Sequence, residues 1–241
     1  MDWQDEGMLI SVRQHGESAA IIEVFTAAHG RHAGVVRGGA SRKMAAVLQP
    51  GSQLAVAWSA RLAEHIGVFV VEPVRSRAGL MGDRLPLSGL NAICAMLHLA
   101  LPEREAHVGL WRATMALLDA LERDPDWPVH YLRWELALLE DLGFGLDGGR
   151  CAVTGVGEGL AFVSPKTGRA VGGAGAGEWA TRLLPLPEVL LGQGPAMGTD
   201  LAAGFAVTGH FLAKGLQPVL ADRPLPAARQ RLIDLLVQGR Q

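Results

Sequence analysis

The chain has 241 residues, 49% of them hydrophobic and only 5% aromatic, with a formal net charge of −2. That is enough for two modest domains or one large one and too apolar for disorder, and the near-neutral charge leaves nucleic-acid binding to a local patch. No apolar run spans a bilayer, the start "MDWQDEG" is acidic where a secretory signal is basic, and Cys94 and Cys151 alone cannot build a disulfide framework. A reduced, soluble, cytoplasmic protein with no membrane partner is expected.

Residues 1 to about 77 read as β-structure. Met8, Ile10 and Val12 alternate with Leu9, Ser11 and Arg13, as in a half-buried strand. After the turn "HGES", the segments "AAIIEVFT" (19–26), "AGVVRGG" (33–39), "SQLAVAWSA" (52–60) and "HIGVFVVEP" (65–73) supply four more strands. Beyond "PVRSRAG" the period lengthens. Leu87, Leu90, Ile93, Leu97 and Leu101 mark one helical face, and Leu110, Met115, Leu118 and Leu121 a second. "VHYLRWELALLEDLG" (129–143) is the clearest helix, with Gly143 as its stop. A Gly-rich stretch with one β-like piece, "LAFVS", follows. Two last helices are expected: Asp200 can cap "LAAGFAVTGHFLAKGLQ", and "PAARQRLIDLLVQGR" closes the chain. The predicted class is α+β. A five-stranded OB-fold β-barrel occupies residues 1–78, followed by an all-helical C-terminal domain, 79–241, with an irregular insert at about 146–187.

Catalytic chemistry finds no support. There is no H-E-x-x-H, G-x-S-x-G or C-x-x-C pattern. "SPKTG" ends like a phosphate loop, but Pro165 sits where that loop needs a glycine N–H. The eight histidines are scattered; only His29 and His32 are close, and turn histidines are more often solvated than ligating.

Charge distribution is more informative. No acidic residue occurs between Glu23 and Glu64, an interval that carries Arg31, Arg37, Arg42, Lys43 and Arg61. With Arg13 these form the candidate DNA-binding set. Three of them fall in one loop, "VVRGGASRKMA", which reads either as a phosphate-tracking barrel loop or as an ordinary solvated surface. From Glu103 to Asp141 the balance reverses, with nine acids against four bases, which suits protein contacts or solvation. There Arg133 stands beside Tyr131, Leu132 and Trp134, where it could grip a partner's carboxylate or simply snorkel.

The blocks "DEGMLISVRQHGESAAIIEVFTAAHGRHAGVVRG", "LRWELALLEDLGFGLDGGRCAVTG" and "FVSPKTGRAV", in that order, resemble the RecO family of bacterial recombination mediators. The resemblance implies an N-terminal OB-fold, a helical C-terminal domain, no enzymatic turnover and no cofactor. It implies binding and annealing of single- and double-stranded DNA, and cooperation with RecR in loading RecA onto DNA coated by SSB. It also implies engagement of SSB through its acidic, Phe-ending tail, for which Arg133, Lys214 and Arg223 are the matching candidates.

Many members of that family carry four cysteines around a zinc ion in the insert. Here Cys151 matches the first, Thr154 stands at the second, and "GRAVGGAGAG" offers no thiol for the other pair. One thiolate cannot hold a structural zinc ion, so no metal is expected. The insert should then be held by Leu160, Phe162, Val163, Val171 and the "SPKTG" turn. The alternative to a DNA-binding mediator is an interaction scaffold whose barrel binds a protein.

Overall fold

A computed structural model describes residues 1–62, 64–193 and 198–238. The chain divides into two compact units, Met1–Arg123 and Asp124–Gln241.

The first unit contains β1 (Asp2–His15), β2 (Ala19–Thr26), β3 (Gly30–Val36), α1 (Arg42–Val47), β4 (Gln53–Ser59) and β5 (Val68–Arg75), then α2 (Arg84–Ala100) and α3 (Val108–Arg123). The strands run in the order β1-β2-β3-β5-β4, with β4 pairing back onto β1. Four of the contacts are antiparallel ladders, whereas β3 meets β5 in parallel through one residue pair, Val35 with Val68. Here the expected OB barrel with an all-helical remainder needs correction. The sheet is mixed, and its ring is closed at a single pair rather than by a full ladder. The C-terminal part also carries a sheet of its own.

Sequence periodicity explains most of the sheet. Leu9, Ile22, Val24, Val36, Leu54, Val56, Trp58 and Phe69 point to one interior, and Leu48 just past α1 closes over it. Complete burial of such a side chain contributes about 1.5–3 kcal/mol. β1 breaks the simple alternation: Gly7, Met8, Leu9 and Ile10 are all buried. Four consecutive buried residues require cover on both faces of the strand, and α2 packs against β1 to supply it. Phe25 likewise meets Trp111 of α3 edge-on at 5.5 Å. The end of the sheet is tied down by Arg75 and Arg77, which both reach Asp119 of α3 at 2.8 Å.

His32 is the anomaly of this interior. It is 4% exposed, neither ring nitrogen has a hydrogen-bond partner among the described residues, and Trp58 stands edge-on at 4.6 Å. Burial, with smaller contributions from Arg104 and His29, pushes its pKa down to about 4. The fold therefore holds the ring neutral, while the unfolded chain takes up a proton below about pH 6.5. Stability from this residue is present above pH 6.5 and is lost as pH falls from there toward 4, by about 3 kcal/mol in all. His98 works in the opposite direction, because its hydrogen bond to Glu23 raises its pKa. The difference between the wild-type protein and His32→Leu in urea titrations from pH 7 to pH 4 isolates the His32 contribution. A variant that loses stability across this range as steeply as wild type would refute it.

The second unit begins with α4 (Trp127–Asp141). The insert holds β6 (Leu160–Val163), β7 (Ala170–Gly172), α5 (Gly173–Ala176) and β8 (Leu184–Pro185), and α6 (Gly198–Gly215), α7 (Gln217–Leu220) and α8 (Ala227–Gln238) follow. β7, β6 and β8 form a three-stranded sheet. Asp200, expected as a cap, lies within the first turn of α6. A charged knot joins three helices. Arg229 of α8 meets the Glu135 carboxylate of α4 through Nε at 2.6 Å and Nη2 at 2.8 Å, and Thr208 of α6 donates to the same carboxylate at 2.6 Å. Glycine at position 204 of α6 lets the Leu132 side chain approach to 2.6 Å from where a Cβ would stand.

Candidate nucleic-acid interface

The turn after β1 and the turn after β3 lie side by side, because the Ala40 N–H donates to the Ser18 carbonyl at 3.1 Å. Strand register sets Arg13 in one row with Ile21 and Val35, two residues before Arg37, and so at the same end of the sheet as Arg37, Arg42 and Lys43. All four side chains are exposed, and none has an ion-pair partner among the described residues. One acid, Glu17, shares the rim. Arg42 and Lys43 were expected in a loop; they form the first turn of α1, whose N-cap Ser41 accepts from the Met44 N–H at 3.3 Å. The helix fixes their spacing more firmly than a loop would. A string of cations on a rigid rim can follow a phosphate backbone without reading bases.

Two members of the expected set stand elsewhere. Arg31 is half-buried: it donates to the Leu101 carbonyl at 2.8 Å and to Glu23 at 3.1 Å, with Glu103 at 3.7 Å. It fastens the β2–β3 hairpin to the segment after α2 and is withdrawn from the rim. Arg61 is exposed beside a cavity of about 830 Å³ lined by Met1, Val35, His65 and Val68, at the junction of β3 and β5.

The three candidates for a partner's tail also separate. Arg133 is exposed on α4. Lys214 donates to the carbonyls of Pro165 and Lys166 at 3.1 and 2.6 Å, and so holds the "SPKTG" turn. Only Arg223 lines a groove, one of about 970 Å³ floored by Ala202, Ala206, Gly209 and Ala213. Sequence reasoning missed Arg229, which borders the groove with its charge paired to Glu135 and whose Nη1 lies 3.0 Å from where a Cβ on Gly209 would stand. The signal was present: Arg229 shares a helical face with Leu232 and Leu236, and a charge on an apolar face is a buried charge awaiting a partner.

In the insert, Cys151 is buried with Val171 and Ala176, and Leu160, Phe162, Ala180 and Leu183 pack on them. Its sulfur accepts from the Gly172 N–H at 3.2 Å and the Thr154 N–H at 3.4 Å, contacts that draw the thiol pKa down to about 6. A Cβ on Gly172 or Gly175 would lie 3.8 or 3.2 Å from that sulfur. Residues 151, 154, 172 and 175 thus surround one point with a single thiol among them. Among the described residues no group of three or more His, Cys, Asp or Glu is placed to hold a metal ion. Also among them, no helix is long and apolar enough to cross a membrane.

Family models described as "Recombination protein O N terminal" and "Recombination protein O C terminal" match residues 1–77 and 81–223. The chain belongs to the RecO family. It is 68% identical over 239 residues to the DNA repair protein RecO of a Cereibacter sphaeroides strain, covering 99% of this chain and 100% of that one. The DNA repair protein RecO of a Ruegeria species is 57% identical, with 99% of each chain covered. That of Dinoroseobacter shibae is 56% identical over the full length of both. The family resemblance read from the three sequence blocks is confirmed.

Proposed function

We propose that this RecO-family chain is a non-catalytic DNA-repair mediator that binds single- and double-stranded DNA along the rim of Arg13, Arg37, Arg42 and Lys43. On this reading it anneals complementary strands and works with RecR to load RecA onto DNA coated by SSB. The observation that carries the DNA contact is the strand register that sets four exposed cations at one end of the sheet, without a carboxylate partner among the described residues. The names of the relatives, all DNA repair proteins, agree with it.

Fluorescence anisotropy with a labelled single-stranded oligonucleotide across a salt series tests the proposal. Each phosphate contact on a single strand contributes about 0.7 to the slope of log affinity against log salt. Replacing Arg37, Arg42 and Lys43 by alanine together should therefore lower the slope by about 2, with little dependence on sequence. A flat wild-type response near physiological salt would favour the protein-scaffold reading instead. For SSB, the groove lined by Arg223 suits a peptide ending in Asp-Phe: one exposed guanidinium for a carboxylate, small helix residues for the ring. Arg223→Ala should weaken such a peptide's binding, and undiminished affinity would remove the groove from the account.

A further inference from the structure

The outward face of β1, β4 and β5 has a shape set by residue size. Three cross-strand rows lie side by side: Asp2–Ser59–Val68, Gln4–Ala57–Val70 and Glu6–Ala55–Glu72. In every row the middle residue, on β4, is the smallest. A trough therefore runs along β4, floored by Ala55 and Ala57, with a volume of about 410 Å³. Its walls stand two strand spacings apart, about 9.6 Å. One wall is polar; the other presents Val70, 66% exposed. Asp5 and Glu72 line it, Glu6 stands across from Glu72 in the same row, and no lysine or arginine is among its lining residues; Arg61 stands past the Asp2–Ser59–Val68 row, in the neighbouring cavity. The nearest cation along β5, Arg75, is paired with Asp119 and Glu122.

We propose that this trough docks an extended, basic segment of a protein partner. The width admits one extended chain and is too narrow for a helix of about 10–12 Å. The carboxylates of Asp5, Glu6 and Glu72 repel phosphate, which disfavours a nucleic-acid strand, and a second copy of the same face would set carboxylates against carboxylates. In an extended segment, alternate side chains point down about 6.8 Å apart, the same interval as that between the Ala57 and Ala55 rows. One such side chain lies over Ala57 against Val70 and the next lies between Glu6 and Glu72. The matching sequence is therefore apolar–x–Arg or apolar–x–Lys. The trough is a site separate from the basic rim, so one protein could hold DNA and a protein partner together.

The test rests on the mediator reading only in its choice of probe, RecR, titrated against the full chain with single-stranded DNA binding measured in parallel. Ala57→Arg fills the trough with like charge to the incoming segment, and the Glu6→Lys/Glu72→Lys pair reverses its rim. Each should lower RecR affinity at least tenfold and leave DNA affinity undiminished. Unchanged RecR affinity in both variants, or no RecR binding by the wild-type chain, overturns the proposal. Loss of DNA binding in the same variants would show that the face belongs to DNA instead. Failure of the mediator reading would appear separately, as a wild-type chain without salt-dependent DNA binding.

Discussion

Glu135→Ala is expected to destabilise the Asp124–Gln241 unit by about 3–5 kcal/mol, because it leaves the Arg229 charge buried without its counter-ion. Glu135 is fully buried, and its two oxygens take bonds from Arg229 and Thr208, so one carboxylate ties α4, α6 and α8 together. Arg229 has no comparable substitute: its remaining bonds go to the Phe205 carbonyl at 3.0 Å and the Thr208 hydroxyl at 3.2 Å. Urea denaturation followed by circular dichroism would register the loss. The paired replacement Glu135→Leu/Arg229→Met should recover most of it, since an apolar pair removes both charges at once. If the single variant unfolded within about 1 kcal/mol of wild type, the knot would not be the joint described here.

Gly30→Ala should be nearly as damaging, for a reason of space. Gly30 turns the chain from β2 into β3 at φ +63°, and a Cβ there would stand 1.8 Å from the Glu105 carbonyl oxygen. Backbone cannot move aside as a side-chain tip can. The same contact region includes the Arg31 bonds to Leu101 and Glu23, and the Arg104 N–H donating to the Arg31 carbonyl at 2.8 Å. Either the hairpin deforms or the segment after α2 lets go, at a cost of about 3 kcal/mol or more. Gly16→Ala is the matched control. Gly16 has φ +62° with nothing within 4 Å of its Cβ position, so it should show only the left-handed penalty of about 1–2 kcal/mol. Equal losses in the two variants, measured by thermal melting, would mean that the close approach to Glu105 carries no energy.

What the sequence disclosed depended on how local the cause was. The strands of the first unit announced themselves because side chains alternate with period two, and α2, α3 and α4 because leucines recur every three or four residues. Helix α1 stayed hidden: it has six residues, none buried, so no apolar stripe marks it. β7 and β8 have three and two residues, too few to show a period. Arg37, Arg42 and Lys43 were legible as a gap in the acidic residues, whereas their nearness to Arg13 depends on the register that sets Arg13 beside Ile21 and Ile21 beside Val35. Arg31 looked like its neighbours because Leu101, which takes its Nε–H, lies 70 residues away. Glu135 and Arg229 were half legible, as charges on apolar helix faces, but their being partners is a fact of helix packing.

The sign of charge changes along β1, and this affects how the first unit moves in solution before it touches anything. Asp2, Asp5 and Glu6 lie early in the strand and Arg13 lies near its end, about 23 Å beyond Glu6 by strand rise. That separation exceeds the screening length of about 8 Å at physiological salt, so each end acts on its own surroundings. A polyanion nearby pulls on one end and pushes on the other, which amounts to a torque. Collisions are thereby sorted by orientation, and the fraction that arrive rim-first rises as ionic strength falls.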